Sequence, residues 1–98
     1  MQIWIAMNSH RKMSRDEALA TAVDVFVCLA EQPDAIDRFL RETGLTPATL
    51  REATVAPGFF PAVLDHVAAD EALLLAIARQ IGAHPARIAE ARAVLDAP

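Results

Sequence analysis

The hydrophobic pattern is densest between residues 70 and 82, where the chain reads DEALLLAIARQIG. Apolar residues at positions 72–78 would cover every side of a helix, and a helix that is apolar all round is normally buried among other helices. Asp70 fits as its N-cap, and Gly82 suits the left-handed position after its last turn. We therefore predict that residues 70–81 form a central buried helix.

The rest of the chain shows helix starts and stops at short intervals. A first helix begins at Ser14, which forms a capping box with Glu17, and ends near residue 32, because Pro33 disfavours helical geometry in the residue before it. Gly44 is expected to end the second helix. Further helices are expected to begin at Pro33, Pro47, Phe60 or Pro61, and Pro85. The pattern predicts an all-α protein, a compact orthogonal bundle of five to six short helices.

The first helix, like the central one, is apolar on nearly all sides. Spacing of four and three residues predicts that its core stripe consists of Leu19, Val23, Phe26 and Ala30, widened by Ala22, Val27 and Leu29. One small core can bury two such helices only if they pack against each other, and any surplus apolar face on a soluble protein usually marks a partner site. Val25 and Cys28 lie three residues apart and about 100° from the stripe, so we expect them to form this exposed patch.

Residues 1–13 differ from the rest, with three methionines, the only tryptophan and a basic triplet that ends at Lys12. Three interpretations are open: a flexible tail, an arm that docks through Trp4 and its neighbouring isoleucines, or sequence upstream of a true start at Met7 or Met13. Residues 14–98 are then a single helical domain. Deletion of residues 1–12 is expected to leave the melting temperature nearly unchanged.

Charge and turn chemistry bear on nucleic-acid binding. Residues 44–53 and 82–91 align as two similar corners, and residues 76–92 look like a helix-turn-helix with Arg87 and Arg92 as candidate DNA contacts. From residue 14 onward, however, there are seven arginines and thirteen acids. Phosphate recognition typically uses about 6–10 basic contacts, which this balance can hardly gather on one face. Nucleic acid is therefore not the expected partner.

No pattern of catalytic or metal-binding residues is present in the sequence. Asp65, His66, Asp70 and Glu71 are clustered, but they lack the ligand spacing of a metal site, and Asp70 serves as a cap. Cys28, the single cysteine, is interpreted as a small hydrophobe rather than a reactive thiol, because no cation lies nearby. No apolar run has the length of a membrane span. We expect a cytoplasmic protein without enzymatic activity, cofactor or metal.

The order of elements resembles a known family. A capped first helix leads into FVCLAEQPDAIDRFLRETGLTP, then FFPAVLDHVAADEALLLA, then a Gly/Pro turn into the last helix. Over residues 14–95 this resembles a family of small alphaproteobacterial proteins, domain-of-unknown-function family 3572. The resemblance implies a helical fold and a bacterial source, and it supplies no catalytic signature.

Two functions remain open from the sequence. The first is a protein-interaction or adaptor domain that binds an unidentified protein partner or a second copy of itself, with Val25 and Cys28 as candidate contacts. The alternative is a helix-turn-helix DNA-binding protein with Arg87 and Arg92 at the nucleic acid. The distribution of arginines on the surface is expected to discriminate between the two.

Overall fold

The computed structural model describes residues 13–97, and this part of the chain folds into six α-helices without a strand. The all-α prediction is confirmed. The helices are α1 (Arg15–Ala30), α2 (Pro33–Thr43), α3 (Pro47–Ala53), α4 (Phe59–Ala68), α5 (Glu71–Ile81) and α6 (Pro85–Asp96). None of these helices is both long enough and apolar enough to cross a bilayer.

The helix ends follow the local chemistry of the sequence. The Ser14 hydroxyl accepts the backbone N–H of Glu17 at 3.1 Å, and the Glu17 carboxylate accepts the backbone N–H of Ser14 at 3.0 Å, which completes the capping box. Asp70 caps α5 by accepting the Leu73 N–H at 3.1 Å. Gly82 ends α5 with φ of +70°, a left-handed conformation that costs glycine little. These contacts place the helices as the sequence predicts.

The centre of the core is α1, not the helix at residues 70–81. Helix α1 packs against α2, α4, α5 and α6, and most extensively against α6. In α5 only Ile77 and Ala78 are buried, and Leu75 keeps 45% of its surface exposed. The prediction of a central α5 is therefore wrong. This short chain can surround only one apolar helix, and α5 packs on α1, α4 and α6 while its remaining side stays in solvent.

The buried face of α1 also differs from the predicted stripe by about a third of a turn. Leu19 and Val23 are exposed, Ala30 is exposed, and Phe26 is half-buried. The core face consists of Ala18, Thr21, Ala22, Val25, Cys28 and Leu29. Val25 is 0% and Cys28 4% exposed, so the expectation that these two residues form a surface patch is wrong. Ala18 and Ala22 are small, which allows neighbouring helices to approach the α1 backbone closely.

Aromatic rings fill the space between α1, α2 and α4. Phe59 lies 5.1 Å from Phe26 and 6.1 Å from Phe39, ring centroid to centroid, in edge-to-face arrangements. Phe39 is fully buried, and Phe26 and Phe60 are partly buried at the edge of the cluster. This cluster joins α2 to the main bundle.

Met13 belongs to the folded unit, whereas the sequence placed it in the N-terminal extension. Its side chain is 6% exposed, and its backbone N–H donates to Oε2 of Glu90 on α6 at 3.1 Å. The predictions for the extension otherwise fall on residues 1–12, which lie outside the described part of the chain.

Candidate interaction surface

The outer face of α1 carries a row of side chains spaced four residues apart, which we call the α1 ridge: Arg15, Leu19, Val23, Val27 and Glu31. Residues four apart are neighbours on a helix surface. Leu19, Val23 and Val27 expose 43, 39 and 51% of their surface, although the opposite face of the same helix is the centre of the core. The ridge is therefore apolar in the middle and charged at both ends.

Depressions adjoin the ridge at both ends. Beside Leu19, an open cleft of about 290 Å³ lies against the α3–α4 loop, and its wall includes Phe60 and Val55, which is 84% exposed. Beside Val27, a wider groove of about 410 Å³ is bordered by Asp24, Glu31 and Ile81. The apolar surface thus continues from α1 onto its neighbours, and its acidic border lies at the Glu31 end.

Cys28 lines that groove, but its thiol is not poised for reaction. The thiol donates to Oε1 of Gln80 at 2.8 Å. Burial is the main cause that raises the pKa of Cys28; the hydrogen bond with Gln32 lowers the pKa by less, and the Glu31 carboxylate adds the smallest effect, which raises it. A raised pKa reduces the fraction of thiolate, which is the nucleophilic and metal-binding form. The sequence interpretation of Cys28 as a small hydrophobe agrees with this geometry.

The two candidate DNA contacts are paired within the protein. Arg87 on α6 lies 3.9 Å from the Glu17 carboxylate on α1. Arg92 pairs with Asp65 on α4, and this contact raises the pKa of the Arg92 guanidinium. Arg87 therefore faces α1 and Arg92 faces α4, and each guanidinium lies beside an acidic side chain. The structure does not bring them together into one basic surface.

His66 and His84 both have contacts within the fold. His66 is packed edge-on against Phe39 with centroids 5.2 Å apart, and its Nδ1 lies 3.5 Å from Glu42. His84 caps α6, because its Nδ1 accepts the backbone N–H of Ala86 at 3.1 Å. Within residues 13–97, no three His, Cys, Asp or Glu side chains converge as a metal site would require.

The comparison with protein families matches residues 15–98 to the family described as "Protein of unknown function (DUF3572)". The chain belongs to the DUF3572 family. The resemblance seen in the order of helices is thereby confirmed over nearly the whole chain. No curated protein and no solved structure matches this DUF3572 chain.

Sequence reasoning missed the ridge because it assigned the largest apolar residues of α1 to the core. In this DUF3572 protein the core side of α1 uses Ala18 and Ala22, and the larger Leu19, Val23 and Val27 lie outside. One signal in the sequence could have indicated this. Ala18, Ala22, Val25 and Leu29 also follow helical spacing, so two stripes were available and side-chain size was a poor guide between them.

Proposed function

We propose that this DUF3572 chain is a non-enzymatic protein-interaction domain and that the α1 ridge is its contact surface. One observation carries the proposal: three large aliphatic side chains in a row, Leu19, Val23 and Val27, stay substantially exposed. Single exposed apolar residues are ordinary on protein surfaces, but a contiguous apolar strip with a polar border is typical of an interaction site.

A partner that covers the ridge would gain free energy by burying its aliphatic side chains. Complete burial of one aliphatic side chain is worth about 1.5–3 kcal/mol. The three ridge side chains retain roughly two fifths to half of their exposure, so a partner that covered them would recover a useful part of that free energy. An interface of this kind has an apolar centre and a polar rim, which is the arrangement of the ridge and its charged ends.

The DNA-binding alternative has less support. Arg87 and Arg92 would have to leave Glu17 and Asp65 in order to contact phosphates. The acidic excess of the chain opposes the approach of a polyanion. Helices α5 and α6 do meet at Gly82 in a tight corner, but such corners occur in helical proteins of many functions.

Site-specific photocrosslinking in the cells that make the protein tests the proposal. A benzophenone amino acid is placed at Val23 in the middle of the ridge, and the matched control carries it at Ala48, an exposed position on α3. We expect covalent protein adducts after irradiation at position 23 and none at position 48. Irradiation without an adduct at position 23 would contradict an interaction function for the ridge, whatever the identity of the partner.

A further inference from the structure

The α1 ridge has a polarity that indicates what covers it. We propose that the occupant is a second copy of this chain, joined through the α1 ridges about a two-fold axis near Val23. The inference rests on the proposed interaction function and names the partner for the same surface. It follows from the spacing of the ridge, from the signs of its end charges, and from the position of Arg15 on the helix.

The spacing makes the ridge able to pack on itself. Rows of residues four apart form the ridges that interdigitate in the commonest class of helix pair, which crosses at about 50°. A two-fold axis at Val23 and perpendicular to the ridge reverses the direction of the second ridge. Leu19 of each copy then lies opposite Val27 of the other, since both are four residues from Val23. An isologous contact of this kind buries the same patch on both copies and closes without further growth.

The end charges of the ridge are complementary under the same operation. Arg15 and Glu31 are each eight residues from Val23, in opposite directions. Arg15 of one copy is therefore placed opposite Glu31 of the other, twice in each dimer. Both side chains are exposed, and neither forms an ion pair with any other residue in the range 13–97. An electrostatically complementary partner places an acid opposite Arg15 and a base opposite Glu31. A second ridge that runs in the opposite direction does both.

The position of Arg15 on α1 supports a role outside the single chain. The N-terminal end of a helix favours acids and the C-terminal end favours bases. Arg15 is the first residue of α1, at the end that favours acids, and Asp16 and Glu17 supply acids in the same turn. Glu31 is the C-cap of α1, but it also directly precedes Gln32, the N-cap of α2, where an acid is favourable. The helix dipole therefore does not favour the positive charge at position 15, whereas the two-fold dimer uses it.

A charge-reversal series on the full-length chain tests the proposal by sedimentation equilibrium. The variants are Arg15→Glu, Glu31→Arg, the double variant, and an equimolar mixture of the two single variants. Arg41→Glu on α2 and Glu52→Arg on α3 reproduce the same changes of net charge at exposed positions away from the ridge. Concentrations extend to about 1 mM, because small interfaces give weak dimers.

We expect the wild type to form dimers and each single reversal to raise the dissociation constant about tenfold or more, since two attractive pairs become two repulsive ones. The mixture and the double variant should both recover dimerisation, because each restores two opposite-charge pairs per dimer. The two control variants should dimerise as the wild type does. Circular dichroism should show full helicity throughout, because both reversals are at exposed positions outside the core.

A monomeric wild type, or single reversals that do not recover in the mixture, would overturn the proposal. The crosslinking experiment separates this failure from failure of the proposed function. An adduct of twice the chain mass at position 23 supports the second copy. An adduct of another mass, or a crosslink within one chain to residues 1–12, keeps the ridge as a contact surface but assigns it a different occupant.

Discussion

Alanine occupies two of the six buried positions of α1. Ala18, Ala22 and Ala91 are completely buried, on the two helices that pack most extensively against each other. Small residues allow two helix backbones to approach closely, and the interior then has no space for an additional large side chain. Leu19, Val23 and Val27 lie on the side of α1 that the neighbouring helices leave partly uncovered, so an aliphatic ridge remains outside.

The substitution Ala22→Leu tests this packing. Added methylene groups in a filled core force neighbouring side chains and backbone to shift, so we expect a loss of about 1–3 kcal/mol of unfolding free energy. Ala20→Leu provides the matched control on the same helix, because Ala20 is exposed. Urea unfolding followed by circular dichroism measures both variants. An unchanged midpoint for Ala22→Leu would show that space is available beside α1.

At the scale of elements, the ends of the helices were readable from the sequence. Ser14, Asp70 and Gly82 act locally, through hydrogen bonds or a backbone conformation within a few residues, so their effects depend little on the rest of the chain. The faces of α1 and α5 were not readable in this way. Both helices are apolar on nearly all sides, and the choice of buried face depends on the neighbours, which the local pattern does not contain.

The candidate site was hard to predict for the same reason, because its position depends on which face of α1 the neighbouring helices bury. The sequence led to a surface patch on α1, but it named Val25 and Cys28, which are core residues. The structure instead exposes Leu19, Val23 and Val27. The pairings of Arg87 with Glu17 and of Arg92 with Asp65 also join residues distant in sequence, and no spacing rule could have revealed them.

Replacement of the glycine that ends α5 should show how much its left-handed conformation contributes to stability. Gly82→Ala forces a side chain into the left-handed region at φ of +70°, and we expect a loss of about 1 kcal/mol. Gly58→Ala is the control, because Gly58 has a negative φ and a Cβ there would meet nothing within 4 Å. Its unfolding free energy should change by less than about 0.5 kcal/mol, because the lower entropy of the unfolded chain offsets the weaker N-cap preference of alanine at this position. Equal losses at both positions would contradict a specific role for the left-handed corner.

In the molecule as a whole, Met13 is the first described residue and it packs into the helical bundle. Its side chain is buried and its amide reaches Glu90 on α6, so Met13 connects the start of α1 to the last helix. The boundary of the folded unit therefore includes residue 13.

Two changes at this boundary are expected to differ in their effect. Met13→Ala should lower the melting temperature by about 10 °C, since loss of a buried methionine costs about 2 kcal/mol or more. Deletion of residues 1–12 retains Met13, and we expect a change of less than about 3 °C. Differential scanning calorimetry compares the two with the wild type. A larger loss from the deletion than from Met13→Ala would show that residues 1–12 stabilise the domain.

Helix α1 has one face in the core and an opposite face that is exposed. Glutamate at Val25 and at Val23, two residues apart, tests both faces with the same chemical change. Val25→Glu should unfold the domain, because an unpaired buried carboxylate costs several kcal/mol, comparable to the ~5 kcal/mol stability of a small domain. Val23→Glu should keep the helical spectrum and melt within about 5 °C of the wild type, since its side chain reaches solvent.

The most direct measurement is therefore a pair of thermal melts by circular dichroism, for Val25→Glu and Val23→Glu. We expect no cooperative transition for Val25→Glu and a cooperative transition near that of the wild type for Val23→Glu. A folded Val25→Glu together with an unfolded Val23→Glu would mean that the core lies on the opposite face of α1, and it would contradict both the described packing and the ridge.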